Sequence, residues 1–271
     1  KKMIKRIFSD MDGTLLDNTG AVSEENVSLI KSAGIPMTLV SARAPMEMMA
    51  AIKKLDLTGA QVSFNGGLIY RVEGGRILPI HSQPIAKGDV HTLLGAIHEK
   101  FPEVSLSYYD LHKWYCHEID KGILFEQKLT QQKPTRTMLL SHFLKPKKEI
   151  YKLMMIVFDE KALTNLQEFV LSLGIDTVAV QQSGNHYLEI THAAAKKSAG
   201  IDYIMQKEAL SEGETAAFGD GHNDLPMFER TSFPIAMANA SPDVIAQAKF
   251  ITLVNQCNGV GYGIHKFLRN V

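Results

Sequence analysis

The chain has 271 residues, which is enough for one large domain or two smaller ones. Hydrophobic residues make up 45% and charged residues 21%, as in ordinary globular proteins. The 29 lysines and arginines balance the 29 aspartates and glutamates, so the basic excess of a typical nucleic-acid binder is absent. No apolar segment approaches the roughly 20 residues that span a bilayer. We therefore expect neither nucleic acid nor a membrane as a partner.

The N-terminus and the cysteines indicate the compartment. The first six residues are charged but no long apolar core follows them, so we expect no secretion signal. The two cysteines, Cys116 and Cys257, lie far apart and lack the spacing of metal ligands. A reduced, cytoplasmic protein is the simpler interpretation, and a single structural disulfide is the alternative.

The first 67 residues alternate apolar segments with helical spacing. Ser23 is a candidate N-cap for the first helix, and Gly34 is its candidate C-cap. The predicted elements are strands at 4–8, 37–40 and 61–64 and helices at 23–34 and 46–55. This order of strands and helices is typical of a parallel sheet with crossover helices.

The middle of the chain, from about 82 to 189, has a different pattern, in which each helix is followed by two or more strands. The predicted elements are helices near 90–97 and 163–173, and strands at 104–109, 114–119, 152–158, 177–182 and 186–190. This order predicts an α+β module inserted into the first domain. After residue 190 the alternation resumes with a helix at 195–205, strands at 215–218 and 233–237, and a helix at 225–229.

Carboxylates follow the first predicted strand. The segment 10–14 reads DMDGT, with two aspartates two residues apart. Residues i and i+2 of an extended chain point to the same side, so a regular strand would direct both carboxylates into one space. Two adjacent negative groups are unfavourable unless a cation or a shared proton offsets them. This pattern predicts a metal site, and a bound metal suggests phosphate chemistry.

Polar residues also follow the other strands, at Ser41, at 65–67 (NGG) and at 219–224 (GDGHND). Ligands of parallel sheets bind beyond the carboxyl ends of the strands, so we interpret these segments as one site. Glycines on both sides of Asp220 allow a tight turn and a close approach to a ligand.

Several of these residues have an alternative structural interpretation. Asp224 is a candidate metal ligand or a helix cap, and Arg43 contacts a substrate phosphate or forms a surface ion pair. Asn65 and Gly66 face the substrate or only form a turn. Asn223 orients Lys197 or the phosphate, or caps the following helix. Taken alone, Ser41 is also a candidate helix cap, and Lys197 is also a candidate solvated surface lysine.

Four motifs in order resemble those of the haloacid dehalogenase superfamily. They are 10–15 (DMDGTL), Ser41, Lys197 and 219–224 (GDGHND). More narrowly, the chain resembles the Cof-type phosphatases, which carry a type IIB cap between the second and third motifs. The resemblance implies an α/β fold with a Rossmann-like, three-layer parallel-sheet core at 1–81 and 190–271 and an α+β cap at 82–189.

Two positions depart from the family pattern. Residues 41–43 read Ser-Ala-Arg where the family often has Thr-Gly-Arg, which keeps the hydroxyl but makes the local turn less free. His192 stands where the family often has proline after Glu-Ile-Thr, and this difference bears on the cap hinge.

The resemblance also implies roles for individual residues. Asp10 would be the nucleophile, and Asp12 would protonate the leaving alcohol and then take a proton from water. Ser41, Lys197 and backbone N–H groups near Gly13 would hold the phosphoryl oxygens. Arg43, Asn65, Gly66 and Asn223 complete the expected substrate-binding set.

A magnesium ion is the cofactor that the resemblance implies. Its expected ligands are the Asp10 carboxylate, the Asp12 backbone carbonyl and the Asp220 carboxylate, with Asp224 in contact directly or through water. The ion would offset the repulsion between an anionic nucleophile and an anionic substrate.

The function predicted from these residues is hydrolysis of a small phosphorylated metabolite, with sugar phosphates as the leading class. One alternative is a phosphomutase, which returns the phosphoryl group from the aspartate to the substrate. Another is a metabolite-binding protein without catalysis. A monomer or a weak homodimer is expected, and the substrate is not specified by the sequence.

Overall fold

The computed structural model describes residues 3–269, which form two compact units. The core unit runs to Arg43, continues over Met48–His81 and resumes at Lys196. The inserted unit comprises Ala44–Glu47 and Ser82–Ala195. The inserted unit ends at Ala195, whereas the sequence placed its end at residue 189. Its last strand continues to His192.

The first part of the core unit alternates strands and helices before a hairpin. Its strands and helices are β1 (Arg6–Ser9), α1 (Glu24–Ala33), β2 (Met37–Leu39), α2 (Pro45–Lys54), β3 (Gln61–Ser63), β4 (Leu68–Glu73) and β5 (Arg76–Ser82). The predicted caps of α1 are confirmed, since Ser23 accepts a hydrogen bond from the Asn26 backbone and Gly34 is left-handed at φ +66°. The β4–β5 hairpin was not predicted, although Gly74 and Gly75 form its turn at positive φ.

The inserted unit follows β5. Its elements are α3 (Lys87–Lys100), β6 (Ser105–Tyr109), β7 (Trp114–Cys116), α4 (Lys121–Thr130), β8 (Thr135–Arg136), α5 (Leu140–Leu144), β9 (Lys152–Ile156), α6 (Glu160–Ser172), β10 (Val178–Ser183) and β11 (Tyr187–His192). They build a six-stranded sheet in the order β10-β11-β9-β6-β7-β8. All its neighbouring strands are antiparallel except β7 and β8.

The core of the inserted unit lies between one sheet face and the helices α3, α5 and α6. Alternate strand residues such as Leu153 and Met155 point to this face and pack against Leu94, Phe143 and Leu166. Helix α4 was not predicted. Its first residue follows Asp120, whose carboxylate accepts a hydrogen bond from the Ile123 backbone as an N-cap.

The last part of the chain completes the core unit. Its elements are α7 (Lys197–Lys207), β12 (Thr215–Gly219), α8 (Leu225–Phe228), β13 (Phe233–Ala236), α9 (Pro242–Ala246), β14 (Phe250–Ile251) and α10 (Gly259–Gly263). The main sheet is parallel throughout, in the order β14-β13-β12-β1-β2. A parallel bridge from Val40 to Val62 links the end of β2 to β3, which forms its own antiparallel sheet with β4 and β5. The α/β class with a parallel core sheet is confirmed.

The helices within residues 3–269 are all too short or too polar to cross a membrane.

Candidate active site

The site forms where two adjacent inner strands of the parallel sheet, β1 and β12, end. Strand β1 pairs with β12 so that Ser9 lies beside Phe218. Asp10 follows β1, and its backbone N–H donates to the Phe218 carbonyl at 3.0 Å. Asp220 follows β12 directly. The register of the sheet therefore brings together two segments that are about 200 residues apart in sequence.

Three carboxylates converge at this edge. Oxygen atoms of Asp10, Asp220 and Asp224 all lie within 4.8 Å of one another. Thr14 fixes Asp220 by donating its hydroxyl to Oδ1 at 2.7 Å. Asp224 accepts the backbone N–H groups of Asp220 and Gly221 at 2.9 and 3.0 Å. These hydrogen bonds orient the carboxylates before any ligand binds.

Lys197 is the cation of the site. It is the first residue of α7, and its side chain is only 2% exposed. Its Nζ donates to Asp10 Oδ1 at 2.5 Å and to Asp224 Oδ1 at 2.8 Å. Burial alone would lower the pKa of Lys197, but the Asp10 and Asp224 carboxylates reverse this effect and raise it. The lysine therefore stays protonated at neutral pH.

Glycine is required where the chain passes closest to the carboxylates. Gly13 has φ +76°, and a Cβ there would lie 2.3 Å from Asp220 Oδ2. A Cβ at Gly219 would lie 2.5 Å from the Asp224 Cβ. Both positions therefore exclude a side chain, and the first also favours glycine by its backbone conformation.

The carboxylates carry more negative charge than Lys197 offsets. Burial, followed by the charge of Asp224, raises the pKa of Asp10 well above its usual value. Burial also raises the pKa of Asp220 to about 6. Oxygen ligands with excess negative charge are those that Mg²⁺ and Ca²⁺ prefer, so the residues of this site fit a divalent cation.

Asp12 does not lie where a regular strand would place it. Strand β1 ends at Ser9, and the chain then turns through Gly13 in a left-handed conformation. The Asp12 side chain is 61% exposed and accepts two hydrogen bonds from Arg43, at 2.8 Å from Nε and 2.7 Å from Nη2. The regular strand that was expected to direct both carboxylates to one side therefore ends before residue 12, and Asp12 is not among the three converging carboxylates, although its charge still acts on Asp10 and Asp220.

The second and third strand ends contribute Ser41 and Asn65. The Ser41 hydroxyl accepts the Arg43 backbone N–H at 3.1 Å, and the Asn65 N–H donates to the Ser41 carbonyl at 2.9 Å. Ser41 does not cap α2, which begins at Pro45. Asn65 has φ +55° and is buried, and its Oδ1 has no hydrogen-bond partner within residues 3–269. This amide oxygen is a candidate contact for a bound ligand.

Gly66 and Asn223 occupy the periphery of these segments. A Cβ at Gly66, where φ is +105°, would lie 2.3 Å from the Lys196 carbonyl. The glycine thus lets the chain after β3 pass the start of α7. The Asn223 side chain lies beside Gly221, and no hydrogen bond joins it to Lys197 in the described part of the chain.

Two residues of the site were missed from the sequence. Thr14 binds Asp220, and Asn239 donates its amide to the Gly13 carbonyl at 2.8 Å. The Asn239 Oδ1 in turn accepts the Asn255 backbone N–H at 2.9 Å. The hydroxyl of the DMDGT segment was a usable signal for Thr14. Nothing in the local sequence distinguishes Asn239, because its role depends on the loop after β13 reaching the loop after β1.

The comparisons with known proteins agree with this geometry. Residues 7–264 match the family model described as haloacid dehalogenase-like hydrolase. The chain belongs to this family. A putative phosphatase of Haemophilus influenzae is 26% identical over 269 residues, covering 95% of this chain and 96% of its own. A Bacillus subtilis 5-amino-6-(5-phospho-D-ribitylamino)uracil phosphatase is 29% identical over 286 residues, covering 98% of each chain.

A solved structure confirms the fold of this haloacid dehalogenase-like protein. A sugar phosphatase described as a subclass IIB member superposes with a TM-score of 0.80, covering 97% of this chain and 98% of its own at 20% identity. The predicted resemblance to this superfamily is confirmed over nearly the whole chain. The family match and the phosphatase names of its relatives make the protein a hydrolase of the phosphatase class.

Proposed function

We propose that the protein is a Mg²⁺-dependent phosphomonoesterase that hydrolyses small phosphorylated metabolites, with sugar phosphates as the leading class. The observation that carries this proposal is the position of Asp10. Its carboxylate receives a hydrogen bond from the buried Lys197 and lies within 4.8 Å of oxygens of Asp220 and Asp224. This is the environment that a carboxylate needs to approach a phosphate dianion.

Asp10 acts as the nucleophile in this proposal. Its carboxylate oxygen forms a bond to phosphorus while the bond from phosphorus to the alcohol oxygen breaks, which gives an aspartyl-phosphate. Lys197 stabilises the charge on the phosphoryl oxygens, and the Ser41 hydroxyl and the Asn65 amide add polar contacts. Removal of one such preorganised donor typically costs about 10²–10³ in rate.

Asp12 transfers the protons. It gives a proton to the departing alcohol and later takes one from the water that attacks phosphorus and releases inorganic phosphate. Arg43 donates to both oxygens of Asp12, which favours the ionised carboxylate, so this ion pair has to open before Asp12 can carry a proton to the alcohol. The exposure of Asp12 leaves it accessible to both the alcohol and the water.

Asp10, Asp220 and Asp224 are the side chains that would hold Mg²⁺, together with the Asp12 backbone carbonyl. The ion would supply positive charge that lets two anions meet. The proposal for the substrate rests on the names of similar proteins, one a sugar phosphatase and one a phosphatase of a phosphoribityl compound. A cytoplasmic, monomeric or weakly dimeric enzyme is part of the same proposal.

The test is a screen of phosphorylated metabolites, including hexose and pentose phosphates, for release of inorganic phosphate. Each substrate is assayed with Mg²⁺, with EDTA, and with an Asp10→Asn variant as the protein blank. We expect Mg²⁺-dependent release that the variant lacks. Isomerised sugar phosphate without inorganic phosphate would instead indicate a phosphomutase. Absence of turnover over the whole panel would contradict catalysis and leave a binding function.

A further inference from the structure

Two asparagines from the last part of the chain hold backbone carbonyls of the loop that follows β1. Asn239, in the loop after β13, donates its amide to the Gly13 carbonyl at 2.8 Å. Asn255, in the segment after β14, donates its amide to the Leu16 carbonyl at 2.9 Å. The Asn255 backbone N–H also donates to the Asn239 Oδ1 at 2.9 Å. The two residues therefore form one connected asparagine pair that binds this loop at two points.

The two members of the asparagine pair differ in burial. Asn255 and Leu16 are both buried, so water does not readily replace the hydrogen bond between them. Asn239 is exposed, and an exposed side chain is free to change rotamer unless a contact holds it. The hydrogen bond from the Asn255 backbone supplies that contact. The buried asparagine thus orients the exposed one, and the exposed one holds the Gly13 carbonyl.

The Gly13 carbonyl belongs to the turn of this loop. Gly13 is left-handed, at φ +76° and ψ −4°, and the helical conformation resumes at Thr14. Successive residues of opposite hand direct their backbone N–H groups into one concavity, and such concavities bind anions. A trans peptide carries its C=O and N–H on opposite sides. A hydrogen bond that holds the Gly13 oxygen therefore also fixes the direction of the Thr14 N–H.

The carboxylates beside this loop are held by other contacts. The Thr14 hydroxyl donates to Asp220, and the Asp10 backbone N–H donates to the Phe218 carbonyl. Neither hydrogen bond involves Asn239 or its acceptor. Loss of the asparagine pair should therefore disturb the backbone N–H groups of the turn more than it disturbs the carboxylates.

We propose that Asn239 and Asn255 are positioning residues, which hold the N–H groups of Gly13 and Thr14 ready for the phosphoryl oxygens of the substrate. This role rests on the proposed phosphatase function, and neither asparagine touches the reacting atoms. A donor that is fixed before the substrate binds does not have to reorganise during the reaction. The pair therefore contributes to phosphate binding and to turnover through the backbone that it holds.

The test compares two ligands of the core site by isothermal titration of the full-length protein. Asn239→Ala should weaken the binding of inorganic phosphate, measured at saturating Mg²⁺, by about fivefold, because the turn loses one hydrogen bond of ordinary strength. Mg²⁺ alone should bind within about twofold of the wild-type affinity, since Asp220 and Asp224 keep the hydrogen bonds that orient them. A general loosening of the fold would not confine the loss to phosphate.

A second variant and a control show whether the asparagines act together. Asn255→Ala should weaken phosphate binding to a similar degree, because residue 255 is then released from Leu16 and no longer orients Asn239. The double variant should bind phosphate at most about twofold more weakly than the weaker single variant, since both changes act through one chain of hydrogen bonds. The control Thr38→Val removes a hydrogen bond from the buried Thr38 to the Ala60 carbonyl, and it should leave both dissociation constants unchanged.

Three results would overturn the proposal. The first is an unchanged phosphate affinity in Asn239→Ala. The second is an equal loss of Mg²⁺ and phosphate affinity, or an equal loss of phosphate affinity in Thr38→Val, because either would make the effect one of general stability. The third is full additivity of the two single variants, which would mean that the asparagines do not act as a pair.

Hydrogen exchange separates this proposal from the proposed function. A wild-type protein that bound no phosphate would contradict the phosphatase function itself. The amides of residues 13–16 should still exchange at least about fivefold faster in Asn239→Ala than in the wild type, because the loop has lost a support. Unchanged exchange of these amides would show that the asparagine pair does not hold the loop, whatever the reaction is.

Discussion

Each unit of the protein buries a lysine among carboxylates, but the two clusters are built differently. In the core unit, Lys197 contacts Asp10 and Asp224 in loops at strand ends. In the inserted unit, Lys152 lies on β9 and donates to Glu189 of β11 at 3.1 Å. The first cluster gathers oxygens of three carboxylates within 4.8 Å, whereas among the described residues no such group occurs in the inserted unit.

The difference lies in how each cluster balances its charge. In the inserted unit, Glu126 accepts a hydrogen bond from the Tyr187 hydroxyl at 2.6 Å, and burial raises its pKa to about 7. A proton on Glu126 can therefore replace a counterion at neutral pH. In the core, burial raises the pKa of Asp10 and Asp220 as well, but two backbone N–H groups donate to Asp224 and a hydroxyl donates to Asp220, so Asp224 and Asp220 are oriented as acceptors. Carboxylates held in this way favour a cation, and a protonated one does not.

The largest expected effect tests the core cluster. An Asp10→Asn variant should lose about 10⁴-fold or more in kcat on any substrate found in the screen, because the amide is not a nucleophile. The measurement is Mg²⁺-dependent phosphate release, with circular dichroism to show that the variant folds. Asp202→Asn, which changes an exposed aspartate paired with Arg230, is the control and should keep its activity. Comparable rates for Asp10→Asn and wild type would remove Asp10 from the mechanism.

The second prediction tests the inserted cluster by its stability. Lys152→Met should lower the free energy of unfolding by about 3–5 kcal/mol, because Glu189 is then buried without its ammonium partner. The double variant Lys152→Met/Glu189→Leu should recover part of this loss, since well-packed apolar residues often replace a buried ion pair at little cost, whereas Glu47, which also faces Lys152, keeps its charge. Urea unfolding of the single and double variants provides the measurement. A double variant as unstable as the single one would contradict Glu189 as the main partner of Lys152 and assign that role to Glu47 or Glu126.

The third prediction concerns the pH dependence of stability. The pKa of Glu126 is about 7 in the folded protein and 4.5 in the unfolded chain. Between these pH values the unfolded chain has lost this proton and the folded protein has kept it. The contribution of Glu126 to the free energy of unfolding is therefore complete below pH 4.5. It falls by about 3 kcal/mol as the pH rises from 4.5 to 7, and above pH 7 it no longer changes.

A Glu126→Gln variant isolates this contribution. The glutamine keeps a hydrogen-bonding side chain but does not titrate. The free energy of unfolding of the variant should therefore lack the contribution of Glu126 that falls between pH 4.5 and 7. Glu118→Gln is the control, because Glu118 is an exposed residue of the same unit, and it should follow the wild-type curve. The measurement is urea unfolding at a series of pH values. Parallel curves for Glu126→Gln and wild type would show that Glu126 ionises normally.

The smallest expected effect comes from a residue that supports the core loops. Asn239→Ala removes the hydrogen bond to the Gly13 carbonyl and should cost about 1 kcal/mol of stability. The Asn239 side chain is exposed, which limits the cost, but the variant also leaves the backbone N–H of the buried Asn255 without its acceptor. We expect a modest fall in kcat as the DMDGT segment loses one support. The variant Asn239→Asp separates the two contacts. It keeps an oxygen that accepts the Asn255 backbone N–H but loses the amide that donates to the Gly13 carbonyl.

Much of the core fold was predictable because it follows from local patterns. The sequence correctly predicted the Ser23 and Gly34 caps and the order of strands and helices. It also predicted the apolar segments that form β1, β2 and β12. The inserted unit was predicted less completely. Helix α4 has an exposed face that includes Leu124, Phe125 and Leu129, and this obscures the amphipathic pattern on which sequence interpretation depends.

The positions of individual side chains could not be predicted to the same degree. The rule that residues i and i+2 share one side assumed that β1 continues to residue 12. The strand ends at Ser9 instead, and the Asp12 carboxylate pairs with Arg43. Asn239 had no signal at all, because its contact joins two loops that are far apart in sequence.

The sequence alone determined which chemical groups the site has: its carboxylates, its lysine and the glycines that admit them. The tertiary structure alone decided which carboxylates converge. The parallel pairing of β1 with β12 sets Asp10 beside Asp220, and the turn after β1 lets the Asp12 carboxylate pair with Arg43. The physical reason is that charge and hydrogen-bonding capacity belong to single residues, whereas the distances between them depend on the register and the ends of strands.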